Sequence, residues 1–199
     1  MKEFKGTWLM IKTGDDYSEP ELIEFYDNKV LHFGVRNESH NGVLSKNEIW
    51  VENIADTRFE LVNANRIRFF RNGKEHKVIS ETESITVDKI FEVDYERIEP
   101  TKTDLSKMDI EKLEFNVQWN NEHINFVFNK DLDSSAIQEV NKRMRREGRK
   151  LSLENLDGTY FGAIYNNGVR ETLIPIREIS KEKLTLYGFP EKPYEITVP

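Results

Sequence analysis

At 199 residues, with 37% hydrophobic and 33% charged residues, the chain has the composition of a folded globular protein and not of a disordered one. Its net charge of −7 weighs against nucleic acid as a main partner, and the absence of cysteine excludes a disulfide framework and a thiol nucleophile. No apolar run approaches a membrane span, and the N-terminus enters strand-like sequence at once, without a signal-peptide core, so a cytoplasmic location is expected.

Residues 4–12 alternate Phe4, Gly6, Trp8 and Met10 with Lys5, Thr7, Leu9 and Ile11, the period of a half-buried strand. After a turn-rich loop over 13–20, Leu22–Tyr26, Asp27-Asn28 and Val30–Val35 read as a hairpin, and Trp50-Val51 lie in a strand begun at Glu48. Phe59–Leu61 and Ile67–Arg71 follow. Asn72-Gly73 is the strongest hairpin signal in the chain, with Lys74–Ile79 as its expected return strand. Ile85–Val87 and Ile90–Ile98 complete the run, and Glu99-Pro100-Thr101-Lys102 ends pairing, because proline has no amide to donate. A connector over 105–112, with room for a helical turn, leads to a hairpin of 113–119 and 124–128. The period then changes. Ile137, Val140 and Met144, capped by Asp133-Ser134 and stopped by Gly148, predict a helix over 134–147. Strands near 159–165, 170–178, 183–188 and 194–198 close the chain, with a turn at Asn167-Gly168.

Part of this pattern occurs twice. Phe4-Lys5-Gly6-Thr7-Trp8-Leu9 is echoed by Leu156-Asp157-Gly158-Thr159-Tyr160-Phe161, and Glu21–Gly34 by Glu171–Gly188, each copy an opening strand followed by a hairpin. The Gly6-Thr7-Trp8 opening, with about eight short strands up to residue 101, resembles the lipocalin-like (calycin) β-barrels of bacteria. In that superfamily a Gly-x-Trp near the start of the first strand closes one end of the barrel. The expected fold is therefore all-β: a lipocalin-like barrel over residues 1–102, then a smaller β-module with a hairpin and one helix over 103–199. A single continuous barrel or sandwich is the alternative.

The resemblance implies an apolar small-molecule ligand, with Trp8, Phe25, Phe33, Trp50, Phe69 and Phe91 as candidates to line its pocket. The same rings also suit a filled core, since a barrel of about eight strands is only just wide enough for its own side chains. Residues 142–150 carry six cations and one anion. Arg143, Arg146 and Lys150 are the candidates there for a phosphate or an acidic partner, against the plainer reading that cations at a helix end offset its dipole. No aromatic residue is interleaved to stack bases. His32, His40, His76 and His123 do not fall at metal-ligand spacing, and no nucleophile turn, calcium loop or phosphate loop is recognisable. The reading that follows is a non-catalytic binding protein with no cofactor. The alternative is an acidic interaction module, for example an immunity-type protein neutralising a basic partner.

Overall fold

In a computed structural model, described over residues 4–11, 21–26, 29–32, 51–53, 58–119, 122–131, 149–187 and 194–198, the chain is all-β with one short helix. The first half gives β1 (Gly6–Met10), β2 (Leu22–Tyr26), β3 (Lys29–His32), β4 (Val51–Asn53), β5 (Phe59–Asn63), β6 (Arg66–Ser80) and β7 (Glu83–Ile98). After α1 (Lys107–Ile110) come β8 (Phe115–Trp119), β9 (Glu122–Phe126), β10 (Lys130–Asp131), β11 (Arg149–Leu156), β12 (Thr159–Asn166), β13 (Val169–Ile179), β14 (Lys183–Leu186) and β15 (Tyr194–Thr197). They form two antiparallel sheets, in the orders β4-β3-β2-β1-β7-β6-β5 and β10-β11-β12-β13-β14-β15-β8-β9. Among the described residues neither sheet closes into a ring, and no helix is long and apolar enough to cross a membrane.

Strand alternation divides the apolar residues among three cores. On one face of the first sheet, Trp8, Ile23, Phe25, Ile67, Phe69 and Tyr95 pack together. On the other face, Leu9, Leu22 and Ile98 meet Phe161, Ala163, Tyr165, Leu173 and Tyr187 of the second sheet. The second sheet curls about its own interior, where Phe115 of β8 and Phe128, between β9 and β10, meet Leu151, Leu153, Ile176 and Leu184. The two sheets thus lie back to back, each side chain placed by the two-residue period of its strand.

The segment after β7 binds the sheets together. Thr101 Oγ1 donates to Ile176 O at 2.7 Å and accepts from Tyr160 N at 2.7 Å. Lys102 N donates to Arg177 O at 2.9 Å, and Thr159 Oγ1 donates to Glu99 O at 3.2 Å. Just beyond, Ser106 caps α1, accepting from Asp109 N at 3.2 Å, and Ile110 is buried against the second core.

Both halves of the repeated pattern form meanders, β1-β2-β3 and β12-β13-β14. Their openings differ. Gly6 leads into β1, whereas Asp157-Gly158 turns β11 back into β12, with φ of 51° and 87°. Asn167-Gly168 is the expected turn, with φ of 50° and 80°.

The expected hairpin at Asn72-Gly73 does not form. β6 runs through both residues to Ser80, and the chain reverses at Glu81-Thr82. A turn at Asn72-Gly73 would have set Phe69 opposite His76. The observed register sets Ile67 against Tyr95 and Phe69 against Val93, pairs that belong to the aromatic core. Core pairing therefore overrides local turn chemistry. A second correction concerns Lys150, which the sequence places at the end of a helix. It lies in β11 opposite Tyr165. The expected helix over 134–147 lies outside the described residues.

Candidate functional site

The aromatic residues proposed for a pocket separate into three groups. Trp8, Phe25 and Phe69 are buried together in the core of the first sheet. Phe25 is at its centre, with ring centroids 5.8 Å from Phe4, 6.4 Å from Trp8, 5.4 Å from Phe59 and 6.1 Å from Phe69. These are the separations of rings in direct contact. Phe33 and Trp50 lie outside the described residues. Phe91 is elsewhere, on a part of β7 that the aromatic core does not reach. Of the basic residues, Lys150 is exposed on β11, and Arg143 and Arg146 lie outside the described residues.

Phe91 belongs to a feature that sequence reasoning missed. β5 pairs with β6 only as far as Phe69, and β1 pairs with β7 only from Tyr95 onward. Two further backbone bonds, Phe70 N to Arg58 O at 3.0 Å and Ile11 N to Asp94 O at 2.7 Å, mark the ends of those ladders. Beyond them β6 and β7 continue together as a two-stranded ribbon, from the Asn72–Ile90 pair to the Ser80–Glu83 pair. Eight residue pairs at about 3.4 Å each make it ~25 Å long. Both faces carry exposed apolar side chains: Val78 is 79% exposed, Ile79 56%, Ile90 52% and Ile85 42%.

The root of the ribbon is fixed by charge. Arg71 Nη2 donates to Glu21 Oε1 at 2.7 Å and to Tyr95 Oη at 2.6 Å, and Tyr95 Oη donates to the same Glu21 oxygen. Burial, then the Glu21 carboxylate, pushes the Tyr95 phenol far above its ordinary range, so it stays protonated and donates. On the opposite face, Arg66 Nε and Arg68 Nε bond Asp94 at 2.9 and 2.7 Å. Those bonds, Arg68's first, hold the Asp94 carboxyl below its usual range. Further out, Glu75 is shared by Lys89 and by Lys77, the latter at 3.4 Å, and Lys89 Nζ lies 5.2 Å from the Phe91 ring centroid. The Phe91 ring also covers Gly73, where a Cβ would come within 2.8 Å of it.

A second cluster the sequence did not reveal is enclosed. Arg170 and Glu154, 0% and 5% exposed at their side chains, pair at 3.2 Å on the face of the second sheet that meets the first, and Tyr165 Oη donates to Glu154 Oε1. Its burial suits it to hold β11, β12 and β13 together and not to meet a solute. Among the described residues no group of three or more His, Asp or Glu side chains is placed to hold a metal ion.

Compared with protein-family models, curated proteins and solved structures, the chain finds no match. The reading of function therefore rests on this geometry alone. The signal for the ribbon was present in the sequence as the alternation of Ile85, Val87 and the residues after them, which continues far beyond the residues that the core needs.

Proposed function

We propose that the chain is a non-catalytic protein-binding module, acting in the cytoplasm, whose recognition element is the β6–β7 ribbon. The observation that carries this reading is the ribbon's exposure. Eight residue pairs stand clear of both neighbouring strands with Val78, Ile79, Ile85 and Ile90 facing water. An isolated two-stranded hairpin is at best marginally stable in water, and exposed apolar strands of this kind are sites of association. The ion pairs at its root, Arg71–Glu21 and Arg68–Asp94, hold the ribbon at a fixed point on the sheet.

We read the first sheet as lipocalin-like. Gly6 at the head of β1, the fully buried Trp8 and the antiparallel β1-β2-β3 meander support this. The contact of Phe4, Phe25, Phe59 and Phe69 supports a filled interior over one that holds an apolar ligand.

A photo-crosslinking residue in place of Val78 tests the proposal in the cell of origin, with Val169, 44% exposed on the β12–β13 hairpin, as control. Defined protein adducts from position 78 and none from 169 are expected. Equal or absent adducts, together with saturable binding of a hydrophobic dye displaced by fatty acid, would return the function to the barrel interior.

A further inference from the structure

We infer that the partner of the ribbon is a second copy of this chain, joined edge to edge along β7 about a two-fold axis at Thr86. The inference rests on reading the ribbon as the recognition element.

Ile11 N donates to Asp94 O, so the polar backbone groups of Asp94 point toward β1, and Arg97 N donates to Asn65 O on the β6 side. Along a strand these groups alternate in direction from one residue to the next. The β6–β7 register has no shift between Glu96 and Ser84. Glu92, Ile90, Asp88, Thr86 and Ser84 therefore present their N–H and C=O groups on the same edge as Asp94, where β1 has ended and no described strand follows. Among the described residues that edge has no partner strand.

Two copies of one edge related by a two-fold axis pair residue i with residue j at a constant sum, and both must point outward for hydrogen bonds to form. With the axis at Thr86, Thr86 pairs reciprocally with its own copy and Ser84 with Asp88. On the intervening positions, whose side chains share one face, Glu83 then falls opposite Lys89 and Ile85 opposite Val87. Both copies of each pair are favourable cross-strand matches. Moving the axis to Val87 would set Ile85 against Lys89 and Glu83 against Phe91. Moving it to Asp88 would set two carboxylates against each other. Only the Thr86 register satisfies charge and apolarity together.

Glu75 is shared by Lys77 and Lys89, and Glu83 of the second copy would give Lys89 a carboxylate of its own. Pairing yields a four-stranded sheet, an arrangement with the hydrogen bonding that a lone ribbon lacks.

Sedimentation velocity on the full chain over a micromolar concentration series tests this. The parent is expected to dimerise. Thr86→Pro removes an amide that points outward and leaves the β6 ladder whole, so it is expected to be monomeric with an unchanged circular dichroism spectrum. Glu83→Lys sets lysine against lysine twice and is expected to weaken the dimer about tenfold. Mixing it with Lys89→Glu chains is expected to restore a dimer. Should Thr86→Pro fail to fold, Glu83→Lys and the mixture decide. A parent that stays monomeric, or a dimer unmoved by Glu83→Lys, overturns the inference. A monomeric parent that still crosslinks from position 78 to a different protein overturns self-pairing alone; a monomer without such adducts overturns the recognition role of the ribbon as well.

Discussion

The guanidinium of Arg97 lies 4.2 Å from the centroid of the Trp8 ring, clasping the first and last strands of the first sheet. Arg97 Nη1 donates to Lys5 O at 2.7 Å, and Trp8 Nε1 donates to Phe4 O at 2.9 Å. Gly6 is required between them: its φ is +134°, and a Cβ there would come within 3.1 Å of Arg97 Nη1. Trp8→Ala is therefore expected to cost about 3–5 kcal/mol, since the indole is fully buried. Gly6→Ala should cost about 1–3 kcal/mol through backbone strain. Urea melts of both variants check this, and parental midpoints would remove the clasp from the account of stability.

The buried pair between the sheets gives a different signature. Arg170→Met leaves the Glu154 carboxylate enclosed with less compensation and should cost about 3–5 kcal/mol. Adding Glu154→Leu should recover much of that loss, because well-packed apolar residues replace a buried ion pair at little cost. A double variant as unstable as the single one would show that the other contacts of Arg170 carry more than Glu154 does.

Thr101 links segment to sheet with a single hydroxyl. Thr101→Val keeps its shape but leaves Ile176 O and Tyr160 N without that partner, at an expected cost of about 1–3 kcal/mol. Thr101→Ser, which keeps the hydroxyl, should lie much nearer the parent in the same melts.

Much of the fold was legible in the sequence because strand periodicity and turn chemistry agreed. Asn167-Gly168 turns β12 into β13, as its residues predict. Asn72-Gly73 carries the same signal and stays extended, because the partner that decides its register, Val93–Tyr95, is distant in sequence. The burial of Trp8, Phe25 and Phe69 followed from alternation. Phe91 has the same alternation but stands where the neighbouring strands have already ended, and only the sheet order reveals that. Arg170 was hidden for a further reason: in sequence it is one more charged residue beside a turn, and its partner Glu154 is two strands away.

Tyr95 steepens the response to alkali. Its folded pKa is raised, chiefly by burial, above the ordinary value of about 10. Above that pH the unfolded chain releases a proton that the folded chain keeps, so stability falls as pH rises. Tyr95→Phe lacks this contribution and is expected to be less stable at neutral pH, through loss of the bond to Glu21, yet to show a shallower decline in alkali. Parallel curves for the two proteins would mean that Tyr95 ionises as freely in the folded state as in the unfolded one.

Glycine within a strand costs about 0.5–1 kcal/mol relative to alanine, so Gly73 is a weak point unless something covers it. The Phe91 ring does, at a distance that leaves no space for a methyl group. Gly73→Ala should therefore destabilise the ribbon in the parent, where the ring must move. In a Phe91→Ala background the same change should stabilise it by about 0.5–1 kcal/mol, because only the backbone gain remains. Since a local element can open without the rest of the protein, hydrogen exchange of the amides over 72–90 is the measurement to use, not the global melt. A change of sign between the two backgrounds establishes that Phe91 holds the ribbon together at its glycine. The same sign in both would place the ring away from Gly73 and leave the glycine without a side chain that covers it.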